Sequence, residues 1–347
     1  AVLISTASTA AEKKAALNLI NQWRSSYSYP LNTFNSTLRS RVKKLAGNTL
    51  VAQRLKRIPS IQKKLEINVG MQLGRMQDIG GLRAVVENIE KVRALEKIYR
   101  GKRLTHELNG EDDYILAPKE SGYRSLHLIF KYKNIKNSAY DGYLLELQIR
   151  TKLQHAWATA IETMGLFLDQ ALKSSEGELE WLEYFKYVSA AFALMENSPV
   201  AKALERLSEK QILSRCIRLE KKLGVKDKLQ GFTVAANAIN SGKTRGSYHL
   251  ISLNTKDKNV QVRSFSEKNI SEANEAYALA EMVTASNQHL QVVLVKTNSA
   301  ESLKKAYPNY FLDTKEFVKQ IKKIESKHQL IKFSEKVNRP LKSLIRP

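Results

Sequence analysis

The sequence predicts an α/β chain (α+β in the broader sense), running helices, then β-α-β-β-β, then helices, with a second, smaller α/β domain behind it. Three observations predict it. Helical and strand periodicities alternate through the first two hundred residues. A hairpin pattern, a helix and another strand recur after residue 240. The length of 347 residues is enough for two compact domains.

From Thr9 to about Leu45 the apolar residues Leu17, Ile20, Trp23, Leu31, Phe34, Leu38 and Val42 are spaced as on helices, with Pro30 expected to mark the break. A basic stretch, RLKRIPSIQKKLE, follows and is interrupted by Pro59. IGGLRAVVEN reads as a strand entered through two glycines, and IEKVRALEKIYR as the helix after it. DYILAP, YRSLHLIFKYK and GYLLELQIRT read as three strands, the last two joined by a polar loop. KLQHAWATAIETMGLFL and, beyond an acidic loop, ELEWLEYFKYVSAAFALME read as amphipathic helices.

ENSPVAK, around Pro199, is the expected boundary, so residues 1–198 form the first domain. A helix over about 200–223 opens the second. SYHLISLNTKDKNVQVRSF then predicts a hairpin with Asp257 and Asn259 in its turn. A helix over SEANEAYALAEMVTA, the strand LQVVLVK, and helices over AESLKKAY and KEFVKQIKKI complete a small α/β domain at 199–330. Residues 331–347, ending in NRPLKSLIRP, read as a basic tail.

Lys and Arg number 57 against 34 Asp and Glu, a formal charge of +23. Such a field concentrates polyanions, whether nucleotides, RNA or an acidic protein. The part from residue 199 onward carries twice as many basic as acidic residues, so the excess is not confined to the first domain. No apolar run reaches the roughly 18 residues that a membrane span requires. The opening AVLIS lacks the basic flank and cleavage site of a secretory signal. A single cysteine, Cys216, excludes an internal disulfide and a cysteine-rich zinc site, and a reducing cytoplasm is expected.

Two carboxylates stand out. Asp78 opens the first strand, in MQDIGGLR. Glu146 lies in YLLELQIRT between Leu145 and Leu147, so Glu146 and Gln148 face away from the leucines. Converging carboxylates from two strands suit a Mg²⁺–polyphosphate site, where the metal takes few protein ligands and phosphate supplies the rest. Pairing of each carboxylate with an arginine such as Arg83 or Arg150 is the alternative. Arg54, Lys56, Arg57, Lys63 and Lys64 form a basic cluster that suits phosphate binding or a solvated helix face. SGKT at Ser241–Thr244 lacks the glycine and leading strand of a phosphate-binding loop and reads as a loop.

With RLKRIPSIQKKL, MQDIGGLR, DYILAPKESGYRSLH, ELQIRT and HAWA in that order, residues 15–195 closely resemble the synthetase domain of the RelA/SpoT family. The resemblance implies a nucleotidyltransferase-like fold, a mixed β-sheet flanked by helices, which agrees with this element order, and a pyrophosphokinase that moves the β,γ-pyrophosphate of ATP to a nucleotide 3′-hydroxyl. It implies Arg54 stacked on adenine, with Lys56, Ser60, Lys64 and Arg83 completing the ATP site. Asp78 would hold Mg²⁺, and Glu146 would assist the metal or take the hydroxyl proton. Tyr123 would stack on the acceptor base, with Lys119, His127 and Gln148 around it.

Ser121 stands where family members often have Asn, and GEDDYI places Glu111, Asp112 and Asp113 where many carry a basic residue. An acidic run there would repel nucleotide phosphates. The acceptor therefore stays open between GDP or GTP, giving (p)ppGpp, and the 3′ end of tRNA, as in toxins of the same family. An inert RNA-binding or antitoxin-like module is a further reading, and retention of Asp78 and Glu146 argues against it. RNA contact through the basic surface is expected, no membrane partner is, and oligomeric state is left open.

Overall fold

The computed structural model describes residues 8–46, 50–56, 58–68, 70–101, 104–168, 178–240, 246–254, 259–285, 290–296 and 310–337. They fall into two compact units. One gathers the described residues up to Ala117 with Arg124–Lys152; the other gathers Pro118–Tyr123 with those from Leu153 onward. The expected boundary at Pro199 lies inside the second unit.

The first unit starts with helices α1 (Ala10–Ser26) and α2 (Ser28–Ala46). Thr9 caps α1 in a reciprocal capping box with Glu12. The helices part at Tyr27 rather than at Pro30, which lies in the first turn of α2, where its missing N–H leaves no helical bond unmade. Strand β1 (Val51–Leu55), helix α3 (Ile58–Ile67), β2 (Gly80–Val86), α4 (Ile89–Arg100), β3 (Glu107–Asp113), β4 (Leu126–Lys131) and β5 (Leu144–Thr151) follow. The sheet order is β1-β2-β5-β4-β3. β2 and β5 are parallel and the other pairs antiparallel, so the mixed sheet with flanking helices is borne out.

One sheet face is the core. Leu82, Ala84, Leu126, Leu128, Phe130, Leu145, Leu147 and Ile149 are all buried, packed with Leu31, Phe34 and Leu38 of α2 and with Val92, Leu95 and Tyr99 of α4. Gly80 belongs to this side: a Cβ there would come within 2.8 Å of Leu145 and of Tyr27.

Two strands depart from expectation, and both are edges. β1 lies at the start of the basic stretch, where VAQRL shows no strand alternation. The strand expected over DYILAP ends instead at Asp113, whose carboxylate accepts the backbone N–H of Ile115 (3.0 Å) and Leu116 (3.1 Å) and turns the chain. An edge strand buries little, so ELNGEDD carries no apolar alternation.

The second unit holds α5 (Lys152–Leu168), α6 (Glu178–Met195), α7 (Glu209–Leu223), α8 (Val225–Asn240), β6 (Tyr248–Asn254), β7 (Asn259–Phe265), α9 (Ile270–Ala285), β8 (Leu290–Lys296) and α10 (Tyr310–Val337). Trp157, Tyr184, Phe185, Phe192 and Phe317 centre the helical core, where Cys216 is buried with its thiol free. β6 is the middle strand of an antiparallel sheet ordered β7-β6-β8, against which α9 packs. The hairpin is confirmed, but Asn259 pairs with Asn254 inside it rather than turning; Asp257 lies outside the described residues. Helix α8 was not expected. The SGKT segment, the acidic loop, the helix over AESLKKAY and residues 338–347 lie outside the described residues. No described helix is long and apolar enough to cross a membrane.

Candidate active site

Cross-strand partners project to the same face of a sheet. In the first unit the face opposite the core carries two polar rows. One runs Arg54–Gly81–Glu146–Ile129; the next runs Arg83–Gln148–His127–Asp112. The leucine alternation that put Glu146 and Gln148 on a common face is thus borne out, and β4 brings His127 beside them. Gly81 leaves a gap between Arg54 and Glu146, where an added Cβ would meet only Arg54, at 3.8 Å.

Asp78 lies just before β2, at the N-terminal edge of this face. Lys56, immediately after β1, donates to one of its oxygens at 2.6 Å, and Lys64 of α3 to the other at 3.0 Å. Burial works against the Asp78 charge, but the two ammonium groups outweigh it and hold the carboxyl below its usual range. Ser60 sits one helical turn before Lys64 on α3, and Arg54 is exposed on β1.

Glu146 is also buried against its charge. His127 Nδ1 lies 2.8 Å from one carboxylate oxygen and Gln148 donates to the other at 2.8 Å. These contacts outweigh burial and the repulsion of Asp78, and its carboxyl too is held low. Arg83 (3.4 Å) and Arg150 (3.0 Å), the arginines weighed as partners for the carboxylates, both donate to the Gln148 side-chain oxygen. Tyr114 packs edge-on against His127, ring centres 5.3 Å apart. Sequence reasoning missed Tyr114 because it assigned that residue to a strand.

The acidic run is largely neutralised within the unit. Asp113 pairs with Arg93 at 2.6 Å and Glu111 with Arg100. Of the three acids only Asp112 stands in register with His127.

Lys119 and Tyr123 belong to the second unit. Gly122 donates to the Lys119 carbonyl at 2.8 Å, closing a turn that needs its φ of 88°. The Ser189 hydroxyl donates to the Gly122 carbonyl. A Cβ at Gly122 would lie 2.9 Å from Ser189 Cβ, so no other residue fits. The Tyr123 ring rests 6.4 Å from Trp157, and the Lys119 ammonium lies 5.7 Å from the Tyr123 ring centre.

Among the described residues no group of three or more His, Cys, Asp or Glu side chains is placed to hold a metal alone. Two hard carboxylates are what Mg²⁺ takes when polyphosphate oxygens complete its shell, so Asp78 and Glu146 fit that ion as part of a nucleotide complex.

The ordered motifs and this paired-carboxylate face coincide with a known region: residues 53–165 match the region found in RelA / SpoT proteins. The chain carries a RelA/SpoT domain. The GTP pyrophosphokinase YjbM of Bacillus subtilis is 37% identical over 89 residues, 25% of this chain and 41% of that protein. The probable chloroplastic GTP diphosphokinase RSH3 of Oryza sativa subsp. japonica is 34% identical over 110 residues, 30% of this chain and 14% of that protein. The chain thus spans less than half the length of either relative. Among solved structures, small alarmone synthetase 1 of B. subtilis bound to its product pppGpp is 22% identical, with a TM-score of 0.43 over 51% of this chain and 93% of that one. A GTP pyrophosphokinase family protein from Streptococcus pneumoniae is 22% identical, with a TM-score of 0.43 over 57% of this chain and 96% of that one. Asp78, Glu146, His127 and all five ATP-site residues of the sequence reading fall inside the RelA/SpoT domain.

Proposed function

We propose that the protein is an ATP-dependent pyrophosphokinase that transfers the β,γ-pyrophosphate of ATP to the 3′-hydroxyl of GDP or GTP, making (p)ppGpp. One observation carries the reading: within the RelA/SpoT domain, Asp78 holds two lysines while Glu146 stands, ionised, on the adjoining polar face.

In the reaction the acceptor 3′-oxygen attacks the β-phosphorus, the bond from that phosphorus to the bridging oxygen of the α-phosphate breaks, and AMP leaves. Such a displacement depends on in-line positioning and charge neutralisation. Lys56 and Lys64 suit both states: they neutralise Asp78 without nucleotide and can turn to phosphate oxygens when it binds. Arg54 would stack on adenine, with Ser60 and Arg83 completing the ATP site. Glu146, ionised at neutral pH, would accept the proton of the attacking hydroxyl, and His127 and Gln148 hold its carboxylate in place. Mg²⁺, held by Asp78 and Glu146, would supply Lewis-acid neutralisation of the phosphates. Tyr123 and Lys119 are proposed for the acceptor base and phosphates on their motif alone.

A guanine nucleotide is favoured over tRNA because Arg93 and Arg100 cancel two of the three acidic charges that spoke against it. The reaction belongs to the cytoplasm, where its nucleotides are. The test is purified protein with γ-labelled ATP and Mg²⁺, offered GDP, GTP or deacylated tRNA in separate tubes. Label in GDP or GTP supports the proposal; label only in tRNA replaces the acceptor, and no transfer to any acceptor refutes the activity.

A further inference from the structure

Away from the RelA/SpoT domain, the second unit has a hollow of 580 Å³, whose lining includes Tyr187, Ser208, Lys210, Ser214, Arg215 and Arg218. Among the described residues no acidic side chain lines it. Its wall is the outer face of α7: positions 211, 214, 215 and 218 follow the helical repeat, while Leu213, Cys216 and Leu219 on the other side are buried in the core. Arg215 and Arg218 are exposed, three residues apart, and neither has a carboxylate partner among the described residues. Like charges at that spacing repel, and an anion lying between them relieves the repulsion. The first-turn amides of α7 are already capped by Ser208 in a box with Gln211, so side chains rather than the helix end make this surface.

A second observation agrees. His328 of α10 reaches this wall, its Nε2 2.8 Å from the Ser214 hydroxyl. Its burial, and then the positive charge of Lys332, Lys210 and Lys221, hold the imidazole below its usual range, and those three lysines add positive charge around the wall. The buried ring of Tyr187 adds a flat apolar element to the lining. Guanidinium groups beside an aromatic ring are the combination that grips a phosphate and the base attached to it.

We infer that the α7 groove around Arg215 and Arg218 is a second phosphate-binding site, separate from the RelA/SpoT domain, that takes a nucleotide unit either free or within single-stranded RNA. The inference stands independently of the proposed activity, because its test reads binding and not transfer.

The test uses the full chain and Arg215→Gln/Arg218→Gln, both exposed positions, with circular dichroism confirming an unchanged fold. Each is titrated with a fluorescein-labelled short single-stranded RNA across a salt series and with a fluorescent GTP analogue. Lys13→Gln/Lys14→Gln on α1 carries the same charge change elsewhere. If the source is RNA, the double arginine variant loses about tenfold or more in RNA affinity. Its log K against log salt also flattens by about 1.4, the share of two phosphate contacts on a single strand. If the source is a free nucleotide, the double arginine variant loses one GTP-analogue site relative to wild type, whatever the wild-type total, while RNA binding is unchanged. Either result supports the site. Equal losses in the arginine and lysine variants would show a net-charge effect and overturn it, as would unchanged binding of both probes.

Discussion

Replacing Asp78 by Asn isolates the carboxylate that the two lysines share. Lys56 and Lys64 approach it at 2.6 and 3.0 Å, and the Asp78 side chain is only 23% exposed. Charge-assisted hydrogen bonds are worth about 1.5–3 kcal/mol each. Burial of the carboxylate opposes them, and Lys64, at 33% exposure, is partly screened. A net loss of about 1–2 kcal/mol remains, because Asn can accept from one lysine but turns a second donor toward the other. For a domain of this size that lowers Tm by about 3–6 °C at pH 7. The sign with pH follows from the depressed carboxyl. Its stabilisation is fully present above the unfolded carboxylate value of about 3.9 and disappears as pH falls through the lower folded value. Wild type and variant should therefore converge in acid. Thermal melts by circular dichroism from neutral to acid pH, beside the labelled-transfer assay, measure both effects. Transfer should drop by about three orders of magnitude or more, since Asp78 is also the proposed magnesium ligand. An Asp78→Asn protein that melts above wild type at pH 7, or that transfers within about threefold of it, would refute the reasoning.

Glu146→Gln keeps the side-chain shape and removes the base, so kcat should fall about 10²–10⁴-fold, with a loss of a few degrees in Tm because its amide turns a donor toward a group that now donates to the carboxylate. Because the Glu146 carboxyl is held low, wild-type kcat/KM should lose activity on this group only in acid, and a limb rising through neutral pH and abolished in the Gln variant would contradict that state. Tyr123→Ala should raise KM for the acceptor by the equivalent of about 1–3 kcal/mol of base stacking, and Tyr123→Phe should not, in steady-state kinetics with GDP varied. Gly122→Ala meets both a left-handed φ of 88° and a 2.9 Å approach to Ser189; denaturant unfolding should show a loss of about 2 kcal/mol or more. Gly81→Val puts its Cβ in ordinary contact with Arg54, at 3.8 Å, and should leave Tm nearly unchanged while weakening ATP binding by calorimetry, since it fills the gap beside Glu146.

Much of the site was legible because central strands advertise their faces. In LLELQI the leucines alternate with Glu146 and Gln148, and that alternation alone separates core from polar face. The edge strands were not legible: VAQRL and ELNGEDD bury too little to show a period, so the register that sets Asp112 beside His127 and Arg54 beside Gly81 was hidden. Neither was the clasp of Lys56 and Lys64 on Asp78, which joins residues 22 and 14 positions apart through a strand, a helix and a turn. The fit of Gly122 against Ser189 spans 67 positions and has no local signature beyond the glycine itself. The charge of +23 pointed to polyanions, but only the helical stripe of α7, set beside Tyr187 and His328, gives one part of that charge a shape.

The central claim is pyrophosphate transfer through the Asp78–Glu146 face, and its most direct measurement is ³¹P NMR of the reaction itself. Wild-type protein incubated with ATP, GDP and Mg²⁺ should release AMP in step with a new diphosphate attached at the guanosine 3′ position, and the Glu146→Gln protein should do neither at a comparable rate. ADP as the product of ATP, or AMP and the 3′-diphosphate formed equally fast by both proteins, would contradict the account.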